Sequence, residues 1–208
     1  MNKTIKIKNL LQYTTTSDKT YNGADYDSGY HSLIIHGEKT KGQRQPKERL
    51  DGVPFDFKNK SVLDIGSNQG GMLFAIQDQI KEGVGIDFDH RLVNAANRIK
   101  GSHNYNNLNF FVFNLDNEDF DLINNFADNK YDIIFLLSVC MWIENWKELC
   151  NWCSINAKSC LFETNGSKKE QQEQLDVLNS LYKDVILIRD KSTDDKGQSK
   201  RRLYYCEN

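Results

Sequence analysis

Three acids stand behind short apolar runs at regular intervals. Val62-Leu63-Asp64-Ile65 leads into Gly66-Ser67-Asn68-Gln69-Gly70-Gly71. Gly83-Val84-Gly85-Ile86 ends in Asp87-Phe88, and Phe110-Phe111-Val112-Phe113-Asn114 runs into Leu115-Asp116. A glycine-rich turn between a strand and a helix lets a ligand approach the backbone, and the N–H groups at the helix start face it. In nucleotide folds an acid about 20 residues beyond that turn takes ribose hydroxyls. Asp87 lies 21 residues after Gly66. The chemistry on offer is recognition of a nucleoside-like ligand.

A second set of residues suits an anion site or a base. Residues 39–49 hold five basic side chains against one acid. Lys39, Lys41 and Lys47 read as solvated. Gln43-Arg44 stands apart between Gly42 and Pro46, and a planar guanidinium suits two-point binding of a carboxylate or phosphate. Arg49 has the same chemistry with less sequence context. Tyr30, His31 and His36 precede this stretch. His31 and His36 are the base candidates, because His90 and His103 accompany a helix and read as solvent-facing. Phe162-Glu163-Thr164 offers one further acid at a strand end, as a base or as a hold on the acceptor. Leu137-Ser138-Val139-Cys140-Met141-Trp142 follows the most apolar run, and Arg201-Arg202 opens the last one.

Apolar runs at 61–65, 83–87, 109–113, 131–137, 159–163, 184–189 and 201–206 predict seven strands to carry these residues. Met72, Leu73, Ile76 and Ile80 share one helical face. Leu92, Val93, Ala95, Ala96 and Ile99 share another, with Gly101 as the expected stop. Helices are also expected near 118–127, over 144–156 and over 167–182. The run at 131–137 reads as the central strand, because strands covered on both faces are continuously apolar. A parallel crossover needs a dozen or more residues, so the polar loop at 192–199 predicts an antiparallel last strand. The expected fold is α/β: a Rossmann-like, seven-stranded, mostly parallel sheet with the last strand antiparallel and helices on both faces. Residues 59–208 form the core, and residues 1–58 an N-terminal segment that covers the site. Within that segment, Ile5 and Ile7 alternate as in a short strand, 13–32 reads as loop, and 33–38 as a strand entering a turn.

The 208 residues suffice for one domain with a full core. A formal net charge of −2 gives no global attraction to nucleic acid or membrane. No apolar run approaches the roughly 18 residues of a membrane span, and the start of the chain has no apolar signal region, so a cytoplasmic location is expected. The five cysteines include Cys150-Asn-Trp-Cys153. Helical spacing of Trp146, Leu149, Cys150 and Cys153 makes them packing residues, and no metal site is expected.

The motifs Val62–Gly70, Gly85-Ile86-Asp87, Asn114-Leu115-Asp116 and Tyr131-Asp132-Ile133-Ile134 resemble those of class I S-adenosylmethionine-dependent methyltransferases, over roughly residues 59–206. The resemblance implies S-adenosyl-L-methionine as cofactor. It places Asp64, Gly66, Ser67, Asn68 and Gly70 around the methionine part, Asp87 and Phe88 at the ribose, and Leu115 and Asp116 at the adenine. Leu137 and Ser138 come beside the transferred methyl. Arg44 is assigned either the cofactor's carboxylate or an anionic substrate. Tyr30, Gln43, Trp142 and Arg202 are assigned to the acceptor, and His31, His36 and Glu163 to catalysis. One departure is Asn68, where the family usually has glycine. It also argues against a nicotinamide dehydrogenase, whose pyrophosphate needs a close backbone at that position.

A narrower likeness joins Arg49-Leu50, Val62 to Gly70, Gly85 to Ala96, Leu137-Ser138, Trp142-Ile143 and Asn145-Trp146. It is similar to enzymes that methylate the 5′ phosphate of small RNAs and implies a phosphate oxygen as acceptor. The scarcity of bases agrees, since an anionic acceptor needs orientation and no base. The neutral charge favours a small phosphorylated molecule or sugar over RNA. The competing expectations are an RNA methyltransferase and a protein that binds the cofactor without transferring methyl groups.

Overall fold

The computed structural model describes residues 3–14, 29–127, 130–192 and 200–208. In chain order these form α1 (Lys3–Thr14), β1 (Ile34–Ile35), β2 (Glu38–Lys39), α2 (Pro46–Leu50), β3 (Ser61–Ile65), α3 (Gly71–Ile76), β4 (Glu82–Asp87), α4 (His90–His103) and β5 (Leu108–Val112). A 3-10 helix at Phe120–Phe126 follows. Then come β6 (Tyr131–Leu137), a 3-10 turn at Cys140–Trp142, α5 (Trp146–Asn156), β7 (Ala157–Glu163), α6 (Lys168–Leu181), β8 (Asp184–Arg189) and β9 (Leu203–Glu207).

Seven strands make one sheet in the order β5-β4-β3-β6-β7-β9-β8, and β1 with β2 makes a small hairpin. Strands β3 to β7 pair in parallel, and β9 is antiparallel to both β7 and β8. The strand at 131–137 is central, as its sequence predicts. Its residues alternate between two cores: Ile134 and Leu136 pack in one, Ile133, Phe135 and Leu137 in the other. This is the two-residue side-chain period of a strand. The strand order reverses between β3 and β6, and such a switch point opens a crevice at the carboxyl ends of the strands.

Three local expectations differ from the structure. The segment expected as a strand at Ile5 and Ile7 is the helix α1. Ile7 and Leu11, one turn apart, are buried with Leu33, Ile35, Ala95 and Ile99, whereas Ile5 faces outward. Gly101 does not stop α4, which continues to His103. Asn104, in the left-handed conformation at φ 59°, ends it and donates its N–H to the Lys100 carbonyl. Helix α3 ends at Ile76, short of the expected Ile80. The Asn107 amide takes over the carbonyls of Gln77 and Ile80 at 2.8 and 3.1 Å. The loops expected over 13–32 and 192–199 lie largely outside the described residues.

Candidate active site

The ends of β3 and β4 form one half of the site. Gly66 turns the chain at φ 72°, and a Cβ there would lie 2.8 Å from the Val139 side chain. Its N–H and that of Ser67 both donate to the Ile86 carbonyl at 2.9 Å, which fixes the turn against β4. Asn68 also has positive φ, 52°. Asparagine tolerates that conformation better than most residues, which accounts for its standing where glycine is usual. Its N–H donates to Asp87 Oδ2 and the Asp89 N–H to Asp87 Oδ1, both at 2.9 Å. Asp87 is thus held rigidly by two backbone donors, while burial raises its pKa against them.

Asp64 is 2% exposed, and its Oδ2 has no hydrogen-bond partner. Burial pushes its carboxyl up to about 7; Arg49 opposes this and the Asp87 charge adds to it. Ser67 Oγ and Gln69 Oε1 are also buried without partners. Buried polar atoms are ordinarily satisfied, so unpartnered ones at the end of β3 and on the glycine turn after it call for a polar ligand. Phe88 is 73% exposed at the same edge, and Leu115 and Leu137 are buried. Asp116 Oδ1 accepts the Glu144 N–H at 3.0 Å and so braces the segment after β6.

The ends of β6 and β7 form the other half. Glu163 is buried, and Arg44 Nη2 and Arg49 Nη2 donate to its two oxygens at 2.7 and 2.8 Å. The Ser138 hydroxyl donates to Oε2 as well, and Arg201 Nη1 stands 3.9 Å from it. Burial disfavours the Glu163 charge, but the two guanidiniums and the hydroxyl outweigh it and hold its carboxyl down at about 2. Tyr30 Oη accepts from Arg44 Nη1 and Arg201 Nη1, each at 3.3 Å. His31 Nε2 lies 3.4 Å from Arg49 Nη1, and its ring packs so closely on Gly71 that a Cβ there would lie 2.5 Å away. Burial and the two arginines lower the His31 pKa well below its usual value.

The structure therefore brings Tyr30, His31, Arg44, Ser138 and Glu163 together, as a buried ion cluster beside the glycine turn. Arg44 belongs to this cluster through its bond to Glu163. Gln43 sits next to it with a buried side-chain oxygen lacking a partner. His36 is not brought to the site. It caps the β1–β2 turn and stacks on His103 at 4.4 Å, by the far end of α4. Arg202 is exposed, and its backbone carries Thr164 instead. Its neighbour Arg201 turns inward, because successive residues of an extended chain point to opposite sides. Arg49 is the residue that sequence reasoning undervalued. Nothing local sets it apart from Lys47, and its partner lies 114 positions away.

A Rossmann-like sheet with a glycine turn, an acid at the end of each of its first two core strands, and a polar cleft at the switch point defines the class I methyltransferase fold. Comparison with known proteins agrees: residues 63–158 match the profile of a methyltransferase domain family. Residues 63–158 thus match a methyltransferase domain, within a chain that has the fold of the class I, S-adenosylmethionine-dependent methyltransferases. The chain is 33% identical over 89 residues to "Putative methyltransferase 235L" of Invertebrate iridescent virus 6, a match spanning 42% of this chain and 29% of that protein. Among solved structures it resembles the N-terminal domain of EvdMO1 with SAH bound, at TM-score 0.71 and 8% identity over 100% of this chain and 97% of the other. The same domain in the presence of SAH and D-fucose gives 0.68 at 9% identity, over 98% of this chain and 94% of that one. The bifunctional kinase-methyltransferase WbdD gives 0.62 at 19% identity, over 81% of this chain and 41% of that one. Among the described residues no helix is long and apolar enough to cross a membrane.

Proposed function

We propose that the protein transfers the methyl group of S-adenosylmethionine to an ionised oxygen of a small phosphorylated sugar or similar polar acceptor. The observation that carries this reading is the ion cluster. Glu163, the buried carboxylate at the ends of β6 and β7, is held by Arg44 and Arg49 with a pKa near 2 and makes a poor base. An acceptor oxygen that is already anionic has no proton to remove. It needs cationic side chains to orient it, and arginine forks suit a phosphate. The solved relatives support a small sugar-like acceptor: one was determined in the presence of SAH and D-fucose, and another is a bifunctional kinase-methyltransferase.

S-adenosylmethionine supplies an electrophilic methyl group on a sulfonium, and it leaves as a neutral thioether when that methyl is taken. The residues present fit it. Asp64, with its unpartnered oxygen, would take the cofactor's ammonium, Asp87 the ribose hydroxyls and Phe88 the edge of the nucleoside. Residues 29–58 of the N-terminal segment would cover the cleft, with His31 against Gly71 and Arg44 on Glu163. Ser138 and Glu163 set the arginines in place, and the acceptor oxygen is aligned with the methyl by position alone. Methyl label from the cofactor should pass to a hexose phosphate and not to the same hexose without phosphate. Transfer to the free sugar, or to RNA in preference, would overturn this reading. An RNA activity should also fall steeply with added salt.

A further inference from the structure

Trp142 is 67% exposed, yet it stands on a turn whose backbone N–H groups are bonded from Met141 to Glu144. The Met141 N–H donates to Asn165 Oδ1 at 3.1 Å, the Trp142 N–H to the Val139 carbonyl at 2.9 Å, the Ile143 N–H to the Cys140 carbonyl at 3.2 Å, and the Glu144 N–H to Asp116 Oδ1 at 3.0 Å. Two of these bonds tie the turn to the ends of β5 and β7. Cys140 is buried under it, and Val139 lies against Gly66 of the cofactor turn. An indole held out on a rigid backbone is already organised to bind, because little freedom is left to lose. Single exposed apolar residues need no explanation in general. Here, however, the exposed large hydrophobics among the described residues include three aromatic ones, and two of them, Phe88 and Trp142, stand at this one edge.

We infer that Trp142 is the platform for the acceptor's ring, and that this ring is the pyranose of a sugar phosphate; the inference rests on the function proposed above. Trp142 is four residues beyond Ser138, which touches Glu163 in the arginine cluster. Four residues of chain span at most about 14 Å even when extended, so one small molecule can meet both places. A phosphate among the arginines would thus lay its sugar along the turn. The C–H face of a pyranose is apolar and packs on an indole, while its hydroxyls stay at the wet rim. Nucleobases also stack on aromatic residues, but at this edge Phe88 already serves a nucleoside, and the formal net charge of −2 lacks the basic surface a polynucleotide needs.

The test compares wild type with Trp142→Ala and Trp142→Phe on a panel of hexose 1-phosphates, adenosine 5′-monophosphate and glycerol 3-phosphate. For the preferred hexose phosphate, Trp142→Ala should raise KM at least tenfold with kcat changed less than threefold. Trp142→Phe should recover most of the loss. Glycerol 3-phosphate has no ring, so its poorer KM should not move, and SAH affinity should be equal in all three proteins. An unchanged hexose KM, an equal loss with glycerol 3-phosphate, or a preference for the nucleotide would overturn the platform while leaving the phosphate acceptor intact. If SAH binds but no phosphorylated acceptor in the panel is methylated, the proposed function fails and the platform falls with it.

Discussion

At the ends of β3 and β4 two carboxylates, Asp64 and Asp87, face burial largely uncompensated: Arg49 offsets Asp64, and backbone N–H groups offset Asp87. At the ends of β6 and β7 one carboxylate, Glu163, is gripped by Arg44 and Arg49, with Arg201 close behind. The first half leaves buried acceptor atoms without donors. The second satisfies its carboxylate from within. The difference matches what each half would receive. A cofactor that brings an ammonium and ribose hydroxyls supplies the donors that the first half lacks. The anionic acceptor proposed above would meet guanidiniums already assembled around an internal anion.

Removing that internal anion should have the largest effect. Glu163→Ala leaves Arg49 buried with only His31 and the Met72 sulfur beside its Nη1. Breaking a buried ion pair from one side costs about 3–5 kcal/mol, and urea unfolding should show it. A loss below about 1 kcal/mol would mean that the cluster does not hold the two elements together.

The two carboxylates should also respond oppositely to pH. Glu163 is depressed from 4.5 to about 2, so it stabilises the fold above about pH 4.5 and loses this as pH falls towards 2, a contribution of about 3 kcal/mol. Asp64 is raised from 3.8 to about 7, so the ligand-free protein loses stability as pH rises from about 4 through 7. Asp64→Asn removes that slope. Between pH 4 and 8 the gap in unfolding free energy should shift in the variant's favour by on the order of 4 kcal/mol, while its SAH binding weakens. A pH-independent gap would contradict an uncompensated Asp64.

Two smaller effects refine the comparison. Asp87→Ala should weaken SAH by about 1.5–3 kcal/mol, the range for hydrogen bonds to a charged group, as read by calorimetry. Arg44→Lys keeps the charge but cannot reach both Tyr30 and Glu163. It should cost about 1 kcal/mol of stability yet lower kcat/KM more than tenfold. A fully active lysine variant would leave Arg44 a structural residue.

The first half was legible in the sequence because its signals are local. The glycine turn, the acid after β4 and the continuous apolar run of β6 each lie within one element and its loop, and the antiparallel last strand followed from one loop length. The second half depends on contacts that no window of sequence contains. Arg44 and Glu163 are 119 residues apart, and Arg201 differs from Arg202 only in strand register. Helix α1 was missed for a different reason. Ile5 and Ile7 alternate like a strand, and only the partnership of Ile7 with Leu11 reveals the helical face.

Asp64 and Asp87 should hold the cofactor, and calorimetric titration of the purified protein with S-adenosylmethionine and SAH, against a nicotinamide dinucleotide, measures this directly. Micromolar binding of both adenosyl ligands, lost or much weakened in Asp64→Asn and Asp87→Ala, with none of the dinucleotide, is the predicted result. Absence of adenosyl binding, or binding indifferent to both acids, would contradict it.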